Sequence, residues 1–229
     1  MFHRWIELDM NKSALIIGPR RSGKTTFLKL TFPNYSYTTF DDFDVLEWAE
    51  KDPKGLLSSL GKHCIIDEIQ RVPKVTIAVK YAIDNENAHI IMTGSSSIGL
   101  LDASADTLAG RVNRYSMTTA CWGESVSPPL HSIFHEKASL PTIKEGIRSL
   151  QEALIFGLFP EVVTSSSIES KKKILQNYRD TYFTKDLMQM GNIENANGLY
   201  AIYANICRSI SSHLEVSNFA RESQLSIPS

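Results

Sequence analysis

The sequence predicts an α/β fold in which a parallel sheet flanked by helices precedes a smaller helical domain. Three observations carry that prediction. Ser13-Ala14-Leu15-Ile16-Ile17, His63-Cys64-Ile65-Ile66 and His89-Ile90-Ile91-Met92 are short apolar runs of the kind buried on both faces of a parallel sheet. The first runs straight into a glycine-containing turn and then a helical stretch. From Ile143 onward the spacing is helical only, with Ile143, Ile147, Leu150, Leu154 and Ile155 on one face.

Taken in order, residues 1–12 have a mixed apolar pattern and are expected to form a short helix or strand leading into the first core strand. The turn that follows that strand, Gly18-Pro19-Arg20-Arg21-Ser22-Gly23-Lys24-Thr25, fits the phosphate-loop pattern G-x-x-x-x-G-K-[ST] at every specified position. Its glycines let the backbone wrap closely round a polyphosphate, so that successive N–H groups point at anionic oxygens. Lys24 is expected to reach the β- and γ-phosphates, and Thr25 to put its hydroxyl on Mg²⁺. Thr26 and the residues after it open a helix whose positive end faces the phosphates.

Residues 33–40, rich in aromatic and β-hydroxylated side chains, read as a second strand. Of the two carboxylates that end it, Asp41 and Asp42, either faces the metal from the rim, or caps a helix over 43–50. Asp52-Pro53-Lys54-Gly55 marks a turn before a helix over 56–60. The run ending in Asp67-Glu68 delivers two carboxylates to the rim that holds the phosphate loop. Asp67 is expected to orient the Mg²⁺ shell, and Glu68 to polarise a water that attacks the γ-phosphate. An acidic neighbour of that kind favours hydrolysis over transfer to a second substrate.

After an amphipathic helix over 75–84, the strand from His89 ends in hydroxyl groups. Thr93 and Ser95 are candidates to bond the attacking water or the γ-phosphate, whereas Ser96 and Ser97 read as caps of the next helix. Arg111, in Leu108-Ala109-Gly110-Arg111, is either a surface residue or a guanidinium that stabilises transition-state charge, in its own subunit or across an interface.

Composition sets outer bounds. With 42% apolar and 21% charged residues among 229, the chain suits a globular protein with a sizeable core. Net charge is −1, so no global field draws it to nucleic acid or an anionic membrane. No run reaches the roughly 18 apolar residues of a membrane span. Cys64, Cys121 and Cys207 are widely spaced without a C-x-x-C pair, which argues against a zinc site or disulfide framework and makes a reducing cytoplasm the expected location.

Together, the phosphate loop, Ile65-Ile66-Asp67-Glu68-Ile69-Gln70-Arg71-Val72-Pro73, Met92-Thr93-Gly94-Ser95-Ser96 and Leu108-Ala109-Gly110-Arg111 resemble the prokaryotic AAA-type P-loop ATPases that carry a C-terminal domain of unknown function. The resemblance continues through Gly157-Leu158-Phe159-Pro160-Glu161-Val162 and residues 178–187, although Leu158 stands where that family usually has a second glycine. It implies an AAA-like core with a small helical domain, followed by a winged-helix segment and a nuclease-like domain. It also implies a nucleotide-sensing or finger role for Arg111 and a ring-like homo-oligomer in which one subunit completes the next subunit's site.

The expected layout is a P-loop core over 1–125, a connecting segment over 126–143 and a helical domain over 144–210. Residues 211–229 are either the first part of a winged helix, lacking a second, groove-reading helix, or an amphipathic terminal helix. The expectation is therefore a truncated relative or an ATPase fragment. Lys171-Lys172-Lys173 reads mainly as a solvated helix start, with a phosphate-backbone contact as the alternative. No Asn-Lys-x-Asp guanine-reading motif follows the core, so ATP is the expected nucleotide. The function expected is Mg²⁺-dependent ATP hydrolysis coupled to a conformational switch and to an unidentified protein partner. The alternative is an ATP-binding regulatory or DNA-associated switch with little turnover.

Overall fold

The computed structural model describes residues 4–95, 108–125, 140–182 and 195–210, together with Ser217, Ala220 and Arg221. The caps proposed at Ser96 and Ser97, most of the connecting segment and most of residues 211–229 lie outside them. Contacts divide the chain into two compact units, Met1–Ser166 and Ser167–Ser229.

Among the described residues, the first unit is built on five strands, β1 (Ala14–Ile17), β2 (Ser36–Thr39), β3 (His63–Asp67), β4 (His89–Gly94) and β5 (Asn113–Ser116). All neighbours pair in parallel, in the order β2-β3-β4-β1-β5. Every strand therefore ends on one rim, and Ile17, Thr39, Asp67, Gly94 and Ser116 lie along it. Strand alternation explains why the middles of β1, β3 and β4 are apolar on both faces: Leu15, Cys64, Ile66, Ile90 and Met92 enter one core cluster, and Ala14, Ile16, Ile65 and Ile91 enter the other. The first cluster is completed from α2 (Phe43–Lys51), α3 (Pro53–Leu60) and α4 (Val75–Glu86), and the second from α1 (Lys24–Thr31). Each large side chain buried there contributes about 1.5–3 kcal/mol of apolar transfer.

Asp42 resolves the alternative left open for the acidic pair. Its carboxylate caps α2 by accepting from the Asp44 and Val45 amides, while Asp41 pairs with Arg71. Residues 4–12, expected to be helical or extended in the sheet, form neither regular helix nor strand. Side-chain bonds from Arg4 hold that segment instead of a ladder.

Residues beyond the sheet form α5 (Trp122–Ser125), α6 (Leu140–Phe156) and α7 (Pro160–Thr164). Helices α6 and α7 fall within the unit Met1–Ser166. The apolar spacing of α6 correctly marks a helix but not a buried one: Ile147, Leu150, Leu154 and Ile155 are all exposed. Gly157, at φ +73°, makes the turn out of α6, and the Leu158 carbonyl accepts from the Ala120 amide. In the second unit, Ser167 caps α8 (Ile168–Thr181) and Asn195 caps α9 (Ala196–Arg208). Lys172 and Lys173 are exposed as expected, but Lys171 is buried. No described helix is long and apolar enough to cross a membrane.

Candidate functional site

The site begins where β1 becomes a loop. A Cβ on Gly18 would lie 1.9 Å from the Met117 carbonyl oxygen, so only glycine lets the chain leave the sheet there. Gly23 turns at φ +93° into the first residue of α1, and Arg21 also has positive φ. Ser22, fully buried, has a hydroxyl with no hydrogen-bond partner. The Lys24 ammonium folds back on the loop and donates to the carbonyls of Gly18 (2.8 Å) and Pro19 (2.9 Å). Burial, the largest influence, draws its pKa below that of an ordinary lysine against the opposing pull of Glu68 and Asp67. Thr26 is exposed on the first turn of α1, and Arg20 and Pro19 are half-buried.

Asp67 is the centre of the site. Its Oδ2 accepts from Thr25 Oγ1 (2.7 Å) and from the Tyr37 hydroxyl (2.9 Å). Its Oδ1 accepts from Thr93 Oγ1 and from the Glu68 amide (3.1 Å). One carboxylate thus gathers the phosphate loop, β2, β4 and the start of the next turn. The Tyr37 phenol is pushed well above its ordinary pKa, first by burial and then by the Asp67 charge, so it stays a donor. Glu68 sits in the left-handed region, at φ 59°, and its carboxylate accepts from the Gln70 amide. That bend aims Glu68 away from the strand line followed by Asp67. Ser95 lies half-buried one residue past β4, on the same rim, where the Gly18 amide donates to the Gly94 carbonyl (3.3 Å).

The residues present fit a metal-bound nucleoside polyphosphate. Ser22 leaves an orphaned buried hydroxyl, Lys24 holds a cation among carbonyls, and Thr25 with Asp67 supplies the hard oxygen donors Mg²⁺ takes.

Arg111 does not join them in its own subunit. It precedes β5, whose first residue pairs with Ala14, so it stands at the opposite rim, roughly 15 Å along the strand direction. There its Nε contacts both carboxylate oxygens of Asp84, at 2.8 and 2.9 Å. The finger reading within one subunit is corrected by this placement.

Sequence reasoning missed two groups. Tyr37 was legible only as a strand residue, although period-two alternation puts it on the face of Thr39, the register partner of Asp67. Arg4 and Glu124 gave no signal, being 120 residues apart. Arg4 donates to Glu124 (3.1 Å), to the Ser22 carbonyl of the phosphate loop (2.7 Å) and to the Thr118 carbonyl (2.9 Å). Glu124 also accepts from the amides of Trp5 and Cys121. Burial alone would raise the Glu124 pKa, but those amides and Arg4 outweigh it and hold it below the ordinary value. A depressed carboxylate contributes stability above the unfolded pKa, near 4.3, that is lost as pH falls through the folded value. Glu124→Gln should therefore lower stability at pH 7 by about 1–3 kcal/mol and flatten the acid limb of a pH-dependent melting series. An unchanged acid limb would place that sensitivity elsewhere.

A parallel sheet with a glycine-lysine loop after its first strand and a carboxylate hub on the same rim defines a P-loop nucleotide-binding domain. Residues 10–126, just over half of the chain, match the family model described as AAA domain, and the chain belongs to that family. Residues 147–229 match a domain of unknown function (DUF8612). An uncharacterized protein of Methanocaldococcus jannaschii is 30% identical over 202 residues, 83% of this chain and 45% of that protein. An uncharacterized protein of Mycobacterium tuberculosis is 27% identical over 180 residues, 77% of this chain and 36% of that protein. The chain thus spans less than half the length of these relatives. Among solved structures, the Aeropyrum pernix ORC1 protein in complex with DNA is similar over 92% of this chain and 75% of that one, at 11% identity and a TM-score of 0.41.

Proposed function

We propose that the chain binds ATP with Mg²⁺ and hydrolyses it, coupling turnover to a conformational switch. The observation that carries this reading is the Asp67 carboxylate, bonded at once to Thr25 of the phosphate loop and Thr93 of β4, with Glu68 next to it. Lys24 exchanges two loop carbonyls for β- and γ-phosphate oxygens, and the loop amides together with Ser22 take the remaining anionic oxygens. Thr25 and Asp67 would hold the metal, which when bound would neutralise polyphosphate charge. Glu68, released from Gln70, accepts a proton as water adds to the γ-phosphorus and the bond to the ADP oxygen breaks. Thr93 and Ser95 border the path of that water.

A second reading, an ATP-binding regulatory switch with little turnover, draws support from Gln70, which occupies the carboxylate a base must keep available. Phosphate release from ATP by the purified chain, measured beside Lys24→Ala and Glu68→Gln, separates the two. Mg²⁺-dependent release lost in both variants supports the hydrolase; binding without release in the unmodified chain supports the switch.

Arg111 enters this reading across an interface, because its own subunit keeps it on the far rim. Arg111→Ala should lower turnover about 10³-fold with nucleotide affinity unchanged. Mixing it with Lys24→Ala should restore part of the rate, since each variant supplies what the other lacks. Mixtures no more active than the separate variants would rule out a homo-oligomeric shared site.

A further inference from the structure

We propose that Tyr37 is a positioning residue that presets the Asp67 carboxylate for the divalent cation, and so sets the metal dependence of nucleotide binding; this rests on the Mg²⁺-nucleotide reading above. The geometry is specific. Each Asp67 oxygen receives two donors, Thr25 and Tyr37 on Oδ2, Thr93 and the Glu68 amide on Oδ1. Rotation of the carboxylate plane breaks bonds on both sides, so the group is held in one orientation before any cation arrives.

Thr25 cannot supply that restraint alone. Its hydroxyl is the group that turns a lone pair toward the cation, whereas the Tyr37 hydroxyl reaches Asp67 from β2. The Thr39 hydroxyl, although in register with Asp67, accepts from the Asp41 amide at 3.2 Å and itself bonds the Tyr37 hydroxyl. A tyrosine two residues earlier on the same face spans the distance a threonine does not. Its ring is itself fixed: the Lys29 ammonium of α1 lies 3.7 Å from the ring centroid. Tyr37, whose hydroxyl also bonds the Thr39 side chain of the same strand, therefore ties the helix that follows the phosphate loop to the carboxylate that faces it.

Tyr37→Phe keeps the ring and its cation–π contact and removes only the hydroxyl. Affinity for methylanthraniloyl-ADP is measured against Mg²⁺ concentration and in EDTA, and Mn²⁺ bound in the presence of ADP is counted by electron paramagnetic resonance. The half-saturating Mg²⁺ concentration is expected to rise about 10-fold or more, with Mn²⁺ binding weakened in parallel and the EDTA affinity unchanged. Lys29→Ala, which leaves the hydroxyl in place, should move the midpoint far less. A wild-type midpoint in Tyr37→Phe overturns the inference, as does an equal loss of affinity with and without metal, which is what a packing role predicts. Nucleotide binding by the unmodified chain that ignores Mg²⁺ would instead defeat the metal reading on which the inference stands. Melting curves in EDTA establish that the variant is folded.

Discussion

Glu68→Gln is expected to leave ATP binding intact and to lower phosphate release by about 10²–10⁴-fold, the contribution of a positioned general base. At 1.36 kcal/mol per tenfold change, that is about 3–5 kcal/mol of barrier. The amide matches the carboxylate in shape but cannot take a proton from water, so packing and nucleotide contacts persist while the proton transfer is lost. The backbone supports a chemical role. A glutamate in the left-handed region costs of order 1–3 kcal/mol, a conformation retained where the surroundings require it. Here the bend lets adjacent carboxylates part: Asp67 turns into the four-donor hub and Glu68 toward Gln70. Gln70→Ala is the companion variant, expected to hold or raise turnover by freeing the base. A Glu68→Gln rate equal to that of the unmodified chain would remove the hydrolase reading and leave the binding switch.

What the sequence made legible was whatever depends on local pattern. Strands β1, β3 and β4 are buried on both faces, so their central runs stay apolar, and each leads to a residue that matters: Gly18 after β1, Asp67 at the end of β3 and Thr93 near the end of β4. Strand β5 escaped because Asn113-Arg114-Tyr115-Ser116 is a half-exposed edge that, among the described residues, pairs with β1 alone and sends just Tyr115 against the core. Its absence from the reading also hid where Arg111 lies, since the residue's distance from the phosphates follows from which end of β5 it precedes. Helix α6 shows the opposite failure. Period 3.6 established the helix, but burial of Leu154 and Ile155 needs a partner that period cannot supply. Tyr37 and the Arg4–Glu124 pair depend on contacts between distant segments, which only register and tertiary packing create.

Lys24→Ala is expected to abolish measurable ATP binding, a loss of at least 100-fold in affinity or about 2.7 kcal/mol, while the nucleotide-free protein keeps its fold. The two halves of that expectation follow from one feature. Without nucleotide the ammonium is buried against two carbonyls, an arrangement whose desolvation already depresses its pKa, so removing it sheds a poorly solvated charge as well as two hydrogen bonds. On the proposed reading, nucleotide brings phosphate oxygens against the same ammonium in place of the neutral carbonyls it bonds in the free protein. At ATP concentrations 100-fold above Kd, binding should stabilise the unmodified chain by about 2.7 kcal/mol, a melting shift of about 5–10 °C. The shift should vanish in Lys24→Ala. Phosphate oxygens also favour the protonated amine, so binding in the alkaline range should take up a proton and weaken as pH rises through the lowered Lys24 pKa. Calorimetry in two buffers of different ionisation enthalpy measures that uptake. A variant that retained the melting shift would hold its nucleotide somewhere other than this loop, and proton uptake surviving in Lys24→Ala would assign the titration to another group.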